Sequence, residues 1–510
     1  MSNSATTIVQ LLSAGAPDAI SLSTPGGSPL IYRALRELAT QTVAALNAKG
    51  IGNNDRVAIV LENGPEMAAA FLCVAAGATA APLNPAYRTD EFEFYLSDLK
   101  AKVLLIERDK SSPAVEVANK LGVPIVRLAA TPDKGAGSFV LEFPGSLPVT
   151  EAPRPGPAAP EDIALVLHTS GTTSRPKIVP LAQRNVCASA RNIRATLALT
   201  PADRGLNIMP LFHIHGLIAG TLVPMSAGSQ VCYTTGFNAL KFFSWMAEVR
   251  PTWYTAVPTM HQAILSRAGK SMDVIKANPL RFIRSSSSSL PPQVIKELEE
   301  VFGAPVIESY GMTEAAHQMS SNPLPPGKRK PGTVGIAAGP EVTVIDTDAN
   351  PVPPGTTGEI AIRGENVTSG YENNPKANAE AFIRGWFRTG DQGLMDADGY
   401  LTITGRLKEI INRGGEKISP REVDEILLDH PAVQQCVTFA VPHDKLGEDV
   451  AAAVVLREGA HADEKGLRTY VATRLTDFKV PRKILILPEI PKGATGKIQR
   501  IGLAKKLGLA

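Results

Sequence analysis

The chain has 510 residues, well beyond the roughly 250 to 300 at which a single hydrophobic core stops growing, so two or more domains are expected. Apolar residues make up 44% and charged residues 20%, a balance that excludes extended disorder. Lys and Arg number 52 against 49 Asp and Glu, a net +3 with no long basic run, which excludes the electrostatic footprint of a nucleic-acid binder.

The first twenty residues, MSNSATTIVQLLSAGAPDAI, lack the basic start and unbroken apolar core of a secretion signal. The last three, Gly508-Leu509-Ala510, are not a Ser-Lys-Leu address. The stretch from Met67 to Leu83 is Ala-rich, interrupted by Gly77 and ended by Pro82. It is short of the ~20 apolar residues a membrane span needs and reads as a buried helix. Cys73, Cys187, Cys232 and Cys436 form no CxxC pair, so they read as structural thiols in a reduced compartment. A cytoplasmic protein without a membrane segment is expected.

Along the chain, short apolar runs (Arg56 to Leu61, Lys102 to Ile106, Ile163 to His168) alternate with helix-length segments (Pro65 to Ala76, Pro113 to Leu121). That rhythm is βαβ and predicts a largely parallel, buried sheet flanked by helices. Ser146 to Asp162, rich in Pro and Ala, reads as a surface connection. From about Pro331 the pattern changes to short alternating strands, Glu341 to Asp346, Gly358 to Arg363 and Tyr400 to Thr404, which predict a smaller β-rich subdomain at about 331 to 404. After Gly405 it becomes strand, helix and strand, with a helix over Pro420 to Leu428 begun by Ser419 as N-cap and Pro420 at its first position. The expected division is 1 to 406 and 407 to 510.

Directly after the strand ending at His168 comes TSGTTSRPK, Thr169 to Lys177. Gly171 lets the backbone turn so that amides converge. The hydroxyls of Thr169, Ser170, Thr172 and Thr173 add donors, and Lys177 adds charge, so the loop suits a polyphosphate. No GxxxxGK[ST] is present, which argues against an ordinary P-loop. In isolation such a cluster is also compatible with a polar surface turn.

TSGTTSRPK closely resembles the signature loop of the adenylate-forming superfamily: acyl- and aryl-CoA synthetases, luciferases and peptide-synthetase adenylation domains. Further segments resemble the other family motifs in their order. After a strand expected over Pro305 to Ser309 comes YGMTE, Tyr310 to Glu314. The resemblance implies nucleotide binding by Ser309, Tyr310, Gly311, Met312 and Thr313, with the adenine stacked on the aromatic ring. It implies a catalytic part for Thr313 and Glu314, and makes Glu314 the Mg²⁺-side carboxylate. WFRTGD, Trp386 to Asp391, implies that Asp391 accepts from both ribose hydroxyls, as a carboxylate suits two neighbouring donors. GRLKE, Gly405 to Glu409, implies Arg406 near the nucleotide and Lys408 as the hinge. PKGATGK, Pro491 to Lys497, implies that Lys497 is the catalytic lysine, a point cation offsetting charge as carboxylate and α-phosphate join. Gly414 and Gly415 fall where the family binds CoA. Two departures stand there: Asn412 and Gly414 occupy positions where many relatives carry lysines.

The resemblance implies an α/β fold, with a large N-terminal domain of βαβ-rich mixed sheets carrying a small β-rich subdomain and a small mobile C-terminal α+β domain. It implies a two-step reaction in which carboxylate and ATP give acyl-adenylate and pyrophosphate, and the CoA thiol then releases AMP. ATP, Mg²⁺, CoA and a small carboxylic acid are the expected ligands, with no nucleic acid, no membrane and no obligatory protein partner. For the acid, the informative segments are PLFHIHG (Pro210 to Gly216), the run Ser285 to Ser289, and Ala315-Ala316-His317. A fatty tail against unpaired hydroxyls and imidazole is disfavoured, because each buried unsatisfied group costs about 1 to 3 kcal/mol. RFIRSSSSSL, YGMTEAAHQMSSNPLP and LHTSGTTSRPK are most similar to the oxalate–CoA ligase subgroup. Oxalate is therefore the leading acid, with Ser286, Ser288 and His317 as candidate contacts to its distal carboxylate and His213 guarding the entrance. Another small or aryl acid, a free-standing loader of carrier proteins, and a nucleotide-binding regulator that has lost catalysis remain alternatives.

Overall fold

The computed structural model of the chain describes residues 5–169, 176–491 and 498–510. The chain forms two compact units. The larger draws on Met1–Thr169, Lys177–Val342 and Ile362–Glu380, and the smaller on Thr343–Ala361 and Ala381–Ala510.

Two sheets organise the larger unit. In the seven-stranded sheet the strand order is Phe139–Glu142, Ile125–Ala130, Val103–Glu107, Arg56–Val60, Thr79–Pro82, Ile163–His168 and Ile178–Ala182. Its interior pairs are parallel and its two edges antiparallel. The expected βαβ rhythm is realised: strands at Arg56–Val60, Val103–Glu107 and Ile163–His168, and helices at Pro65–Ala75 and Pro113–Leu121. The nine-stranded sheet runs, from one edge, Ile336–Ala337, His317–Ser321, Val306–Met312, Phe282–Ser285, Trp253–Ala256, Arg204–Asn207, Gln230–Tyr233, Ile20–Ser23 and Leu30–Ile31. One core cluster, including Leu206, Tyr254, Ile283, Leu298 and Val306, fills one face of its centre.

Met67 to Leu83 is not one buried helix. The helix ends at Ala75, and Thr79–Pro82 is a fully buried strand. A parallel slot between Arg56–Val60 and Ile163–His168 takes the small residues Ala80 and Ala81, and the Thr79 hydroxyl donates to the Ile163 carbonyl across 2.7 Å. Ladder hydrogen bonds from both sides thus override the helical preference of alanine.

The smaller unit holds two five-stranded sheets. One orders Glu341–Ile345, Gly358–Arg363, Trp386–Met395 and Phe382–Ile383, with Leu401–Arg406 also paired to Trp386–Met395. The other orders Glu416–Ile418, Ile411–Arg413, Gly447–Leu456 and Val433–His443, with Lys483–Ile486 added beside Gly447–Leu456. Pro420–Leu428 is the predicted helix with Pro420 in its first turn, but Ser419 does not cap it with its side chain. Its hydroxyl donates to the Thr404 carbonyl instead.

Candidate active site

The base of the TSGTTSRPK loop is closed by two bonds: Thr169 N–H donates to the Lys177 carbonyl at 2.9 Å, and Lys177 N–H to Thr169 Oγ1 at 3.1 Å. His168 pairs with Ile178 just below, so the loop leaves an antiparallel strand pair. Ser170, Gly171, Thr172 and Thr173 lie outside the described residues, as does Lys497.

YGMTE does not follow a strand ending at Ser309. The strand Val306–Met312 continues through Tyr310, Gly311 and Met312 because it pairs antiparallel with His317–Ser321. Thr313–Ala315 then makes a single 3₁₀ turn, and Ala316 and His317 take φ of 47° and 99°. Such angles in side-chain-bearing residues are strained and recur at functional sites. The return is so tight that a Cβ on Gly311 would lie 1.8 Å from the His317 carbonyl oxygen, so only glycine fits. Glu314 is buried and accepts at Oε1 from the Tyr371 hydroxyl across 2.8 Å. Its carbonyl accepts from Thr368 N–H at 2.7 Å, and the Lys177 ammonium sits 4.2 Å from the Tyr371 ring centroid. Tyr371 thus joins Lys177, at the end of TSGTTSRPK, to the Glu314 carboxylate, a link no motif spacing announces.

Around the expected acid site, Ser286 is buried and donates to the Ser309 carbonyl at 3.0 Å, while the Ser309 hydroxyl donates to the Ser285 carbonyl at 3.3 Å. Ser288 is exposed. The serine brought to the histidines is Ser287, whose Oγ lies 3.0 Å from His215 Nδ1. The strand ends at Ser285 and Ser287 takes φ of 72°, so the turn, which the run of five serines does not reveal, brings Ser287 rather than Ser286 or Ser288 to His215. His317 is buried and stacks on His215, with ring centroids 4.8 Å apart. His213 is partly exposed and lies against the Phe212 ring. His215 opens the π-helical segment His215–Leu222, a geometry frequent at functional sites.

Arg284, missed in the sequence, is fully buried beside this pair. Its Nη1 lies 3.2 Å from His317 Nε2 and 3.4 Å from both His215 Nε2 and Thr255 Oγ1, and its Nη2 donates to Gln318 Oε1 at 3.1 Å. Burial pushes its guanidinium down from its usual range, to about 9. The available signal was an arginine in the otherwise apolar run 282–284, immediately before the serine run.

In the smaller unit, Asp391 is buried and directly opposite Arg406 in the strand pair, with Arg406 Nε donating to Asp391 Oδ1 at 3.0 Å. Lys408 follows the strand Leu401–Arg406, whose last carbonyl accepts from the amides of Glu409 and Ile410. Gly414 and Gly415 form the turn between Ile411–Arg413 and Glu416–Ile418 with φ of 61° and 101°. That hairpin demands positive φ at both positions. The Asn412 side chain accepts from Gly415 N–H at 3.2 Å, a role a lysine there could not fill.

Among the described residues no cluster of three or more His, Cys, Asp or Glu is placed to hold a metal. The single buried carboxylate of Glu314 suits Mg²⁺ carried by nucleotide phosphates, since that ion takes one or two carboxylates and keeps phosphate and water ligands. The four cysteines are free, and burial raises the thiols of Cys73, Cys187 and Cys232 to about 12, consistent with structural roles.

Two family models match the chain: one described as AMP-binding enzyme over residues 12–372, the other as AMP-binding enzyme C-terminal domain over 422–497. The chain is 47% identical over 489 residues to the oxalate–CoA ligase of Arabidopsis thaliana, covering 95% of each. It is 44% identical over 480 residues to the oxalate–CoA ligase of Saccharomyces cerevisiae, covering 88% of this chain and 86% of that one. The crystal structure of ATP-bound MatB from Rhodopseudomonas palustris is similar with a TM-score of 0.88 at 29% identity, over 98% of each chain.

Proposed function

The chain belongs to the AMP-binding enzyme family, and from that membership we propose that it is an ATP-dependent acid–CoA ligase whose acid is oxalate. The observation that carries the reading is near-full-length likeness to two oxalate–CoA ligases. The acid site supports it: two stacked imidazoles, a hydroxyl and a buried guanidinium are costly neighbours for an alkyl tail and good ones for a small anion.

In this reading, Thr169 to Lys177 hold the ATP phosphates, Ser309 to Thr313 the adenine side, and Asp391 the ribose, with Arg406 beside it. Glu314, oriented by the Tyr371 phenol, would hold Mg²⁺ carried by ATP, which when bound would neutralise phosphate charge. Lys497 offsets the charge that builds as oxalate oxygen joins the α-phosphorus, and positioning supplies the rest of the rate. For thioester formation, Lys408 is the pivot that exchanges one arrangement for the other, and Gly414 and Gly415 lie on the CoA side. His213 guards the acid's entrance. The boundary between the two functional domains falls at 406 and 407. The buried free thiols of Cys73, Cys187 and Cys232 fit a reduced, cytoplasmic setting, and among the described residues no helix is long and apolar enough to cross a membrane.

CoA-dependent AMP release measured across oxalate, glyoxylate, malonate, acetate, octanoate and coumarate tests the proposal. Oxalate is expected to give the highest kcat/KM. Preference for octanoate or coumarate overturns it, and release with a carrier protein in place of CoA assigns the chain to the carrier-loading class.

A further inference from the structure

Among the described residues, Arg284 is a buried cation whose hydrogen-bond partners are all uncharged groups. It pairs in register with Thr255 on one side and Ile307 on the other, whereas Glu308 pairs with Ser285 one residue on. Successive side chains leave opposite faces of a sheet, so the nearest strand carboxylate belongs to the other face. The polar atoms within reach of Arg284 are those of His215, Thr255, His317 and Gln318, and Nε has no partner among the described residues. A guanidinium removed from water without a counter-ion is expensive.

The donors also fix the tautomers. A guanidinium only donates, so Nε2 of His317, 3.2 Å from Nη1, is an acceptor and the ring carries its hydrogen on Nδ1. The second Nη1 hydrogen is shared between Thr255 Oγ1 and His215 Nε2, both at 3.4 Å. An Nε2–H on His215 would face that N–H head-on. The short contact of 2.6 Å is therefore Thr255 donating to His215 Nε2. His215 then donates from Nδ1 to Ser287 Oγ across 3.0 Å, which leaves the Ser287 hydroxyl hydrogen directed to a further acceptor.

We propose that this acceptor is the non-reacting carboxylate of a small dicarboxylate, and that Arg284, acting through Thr255, His215 and His317, is the positioning residue that makes the acid site select a second negative charge. The carboxylate touches Ser287 and supplies a countercharge that none of the described residues bonded to Arg284 provides. This rests on the oxalate reading and deepens it. It moves recognition from Ser286, which is held by the Ser309 carbonyl, and from exposed Ser288 to Ser287 and the layer behind it.

The test is steady-state AMP release by the full-length enzyme, with KM for oxalate and ATP, kcat, and glyoxylate as a competing monoanion. Arg284→Gln is expected to raise KM for oxalate about 10- to 100-fold, the loss that a charged hydrogen bond predicts, with kcat and KM for ATP nearly unchanged. Glyoxylate should then compete relatively better, and Arg284→Lys should restore part of the oxalate affinity. An unmoved oxalate KM, or a parallel decline in every parameter, overturns the assignment. If Arg284→Gln does not fold, Ser287→Gly decides: it suits the φ of 72° and removes only the hydroxyl. It should raise oxalate KM about tenfold, and an unchanged value rejects the proposal. A wild-type enzyme inactive on oxalate instead rejects the functional reading itself, a result distinct from an oxalate-active enzyme that neither variant alters.

Discussion

The hydroxyl of Tyr371 donates to Oε1 of Glu314 across 2.8 Å, and the ring of the same tyrosine faces the Lys177 ammonium. One side chain therefore orients both charges that the nucleotide phosphates are proposed to meet. Tyr371→Phe keeps the ring and the cation–π contact but removes a donor to a buried carboxylate. Acid-dependent pyrophosphate exchange should fall about tenfold, with a higher Mg²⁺ requirement. Exchange at the wild-type rate and Mg²⁺ dependence would show that Glu314 needs no such support.

The two half-reactions should separate genetically. Lys497→Ala should slow pyrophosphate exchange by about 10² to 10³, the scale of losing one preorganised charge donor. Lys408→Pro should leave exchange within about threefold and abolish CoA-dependent AMP release, because proline restricts φ at the pivot. Among the described residues the Lys408 amide donates to no backbone carbonyl, so proline removes no such bond. Equal loss of both half-reactions in Lys408→Pro would remove the hinge role.

In the smaller unit, Arg500 ties three elements together. Its Nη2 meets Asp424 Oδ2 at 2.7 Å, its Nε meets Glu409 Oε2 at 3.2 Å, and its Nη1 donates to the Thr438 carbonyl at 2.8 Å. Burial raises the Asp424 carboxyl even with this partner. Asp424 is buried and Arg500 partly so, and Arg500→Met should therefore destabilise by about 1 to 3 kcal/mol, the cost of leaving a buried acceptor without its partner, read as a lower urea midpoint. A midpoint within error of wild type would mark the network as energetically idle.

His261 sets an acid limit on stability. Its ring is fully buried beside the Tyr254 hydroxyl, and burial holds it down, to about 3, from an ordinary value of 6.5. Because the folded value lies below the unfolded one, the unfolded chain binds the extra proton between those limits. The contribution is complete above about pH 6.5 and is lost as pH falls toward 3, with a slope approaching about 1.4 kcal/mol per unit. Urea unfolding of wild type and His261→Gln at a series of pH values from about 8 to about 5 checks it. The variant should show a shallower decline, and parallel curves would place the acid sensitivity elsewhere.

Much of the fold was legible because its signals are local. The strand Ile163–His168 and the helices Pro113–Leu121 and Pro420–Leu428 have the boundaries read from the chain, since apolar runs, prolines and glycines act on their own neighbours. The misreadings came where distant strands intervened. Thr79–Pro82 is a strand because two others leave a slot for it, and Tyr310 to Met312 extend a strand because His317–Ser321 pairs with them.

The same division runs through the acid site and the nucleotide loop. The sequence by itself determined the family, and it singled out the run from Thr169 to Lys177 and the polar segments proposed to face the acid, because each is a contiguous run whose residue types carry the chemistry. Only the tertiary structure decided which of five serines meets His215, that among the described residues no acid bonds to Arg284 behind it, and that Tyr371 reaches Glu314 from 57 residues away. Those relationships depend on strand register, on a positive φ at Ser287 and on which face each side chain leaves, and these are set by long-range pairing.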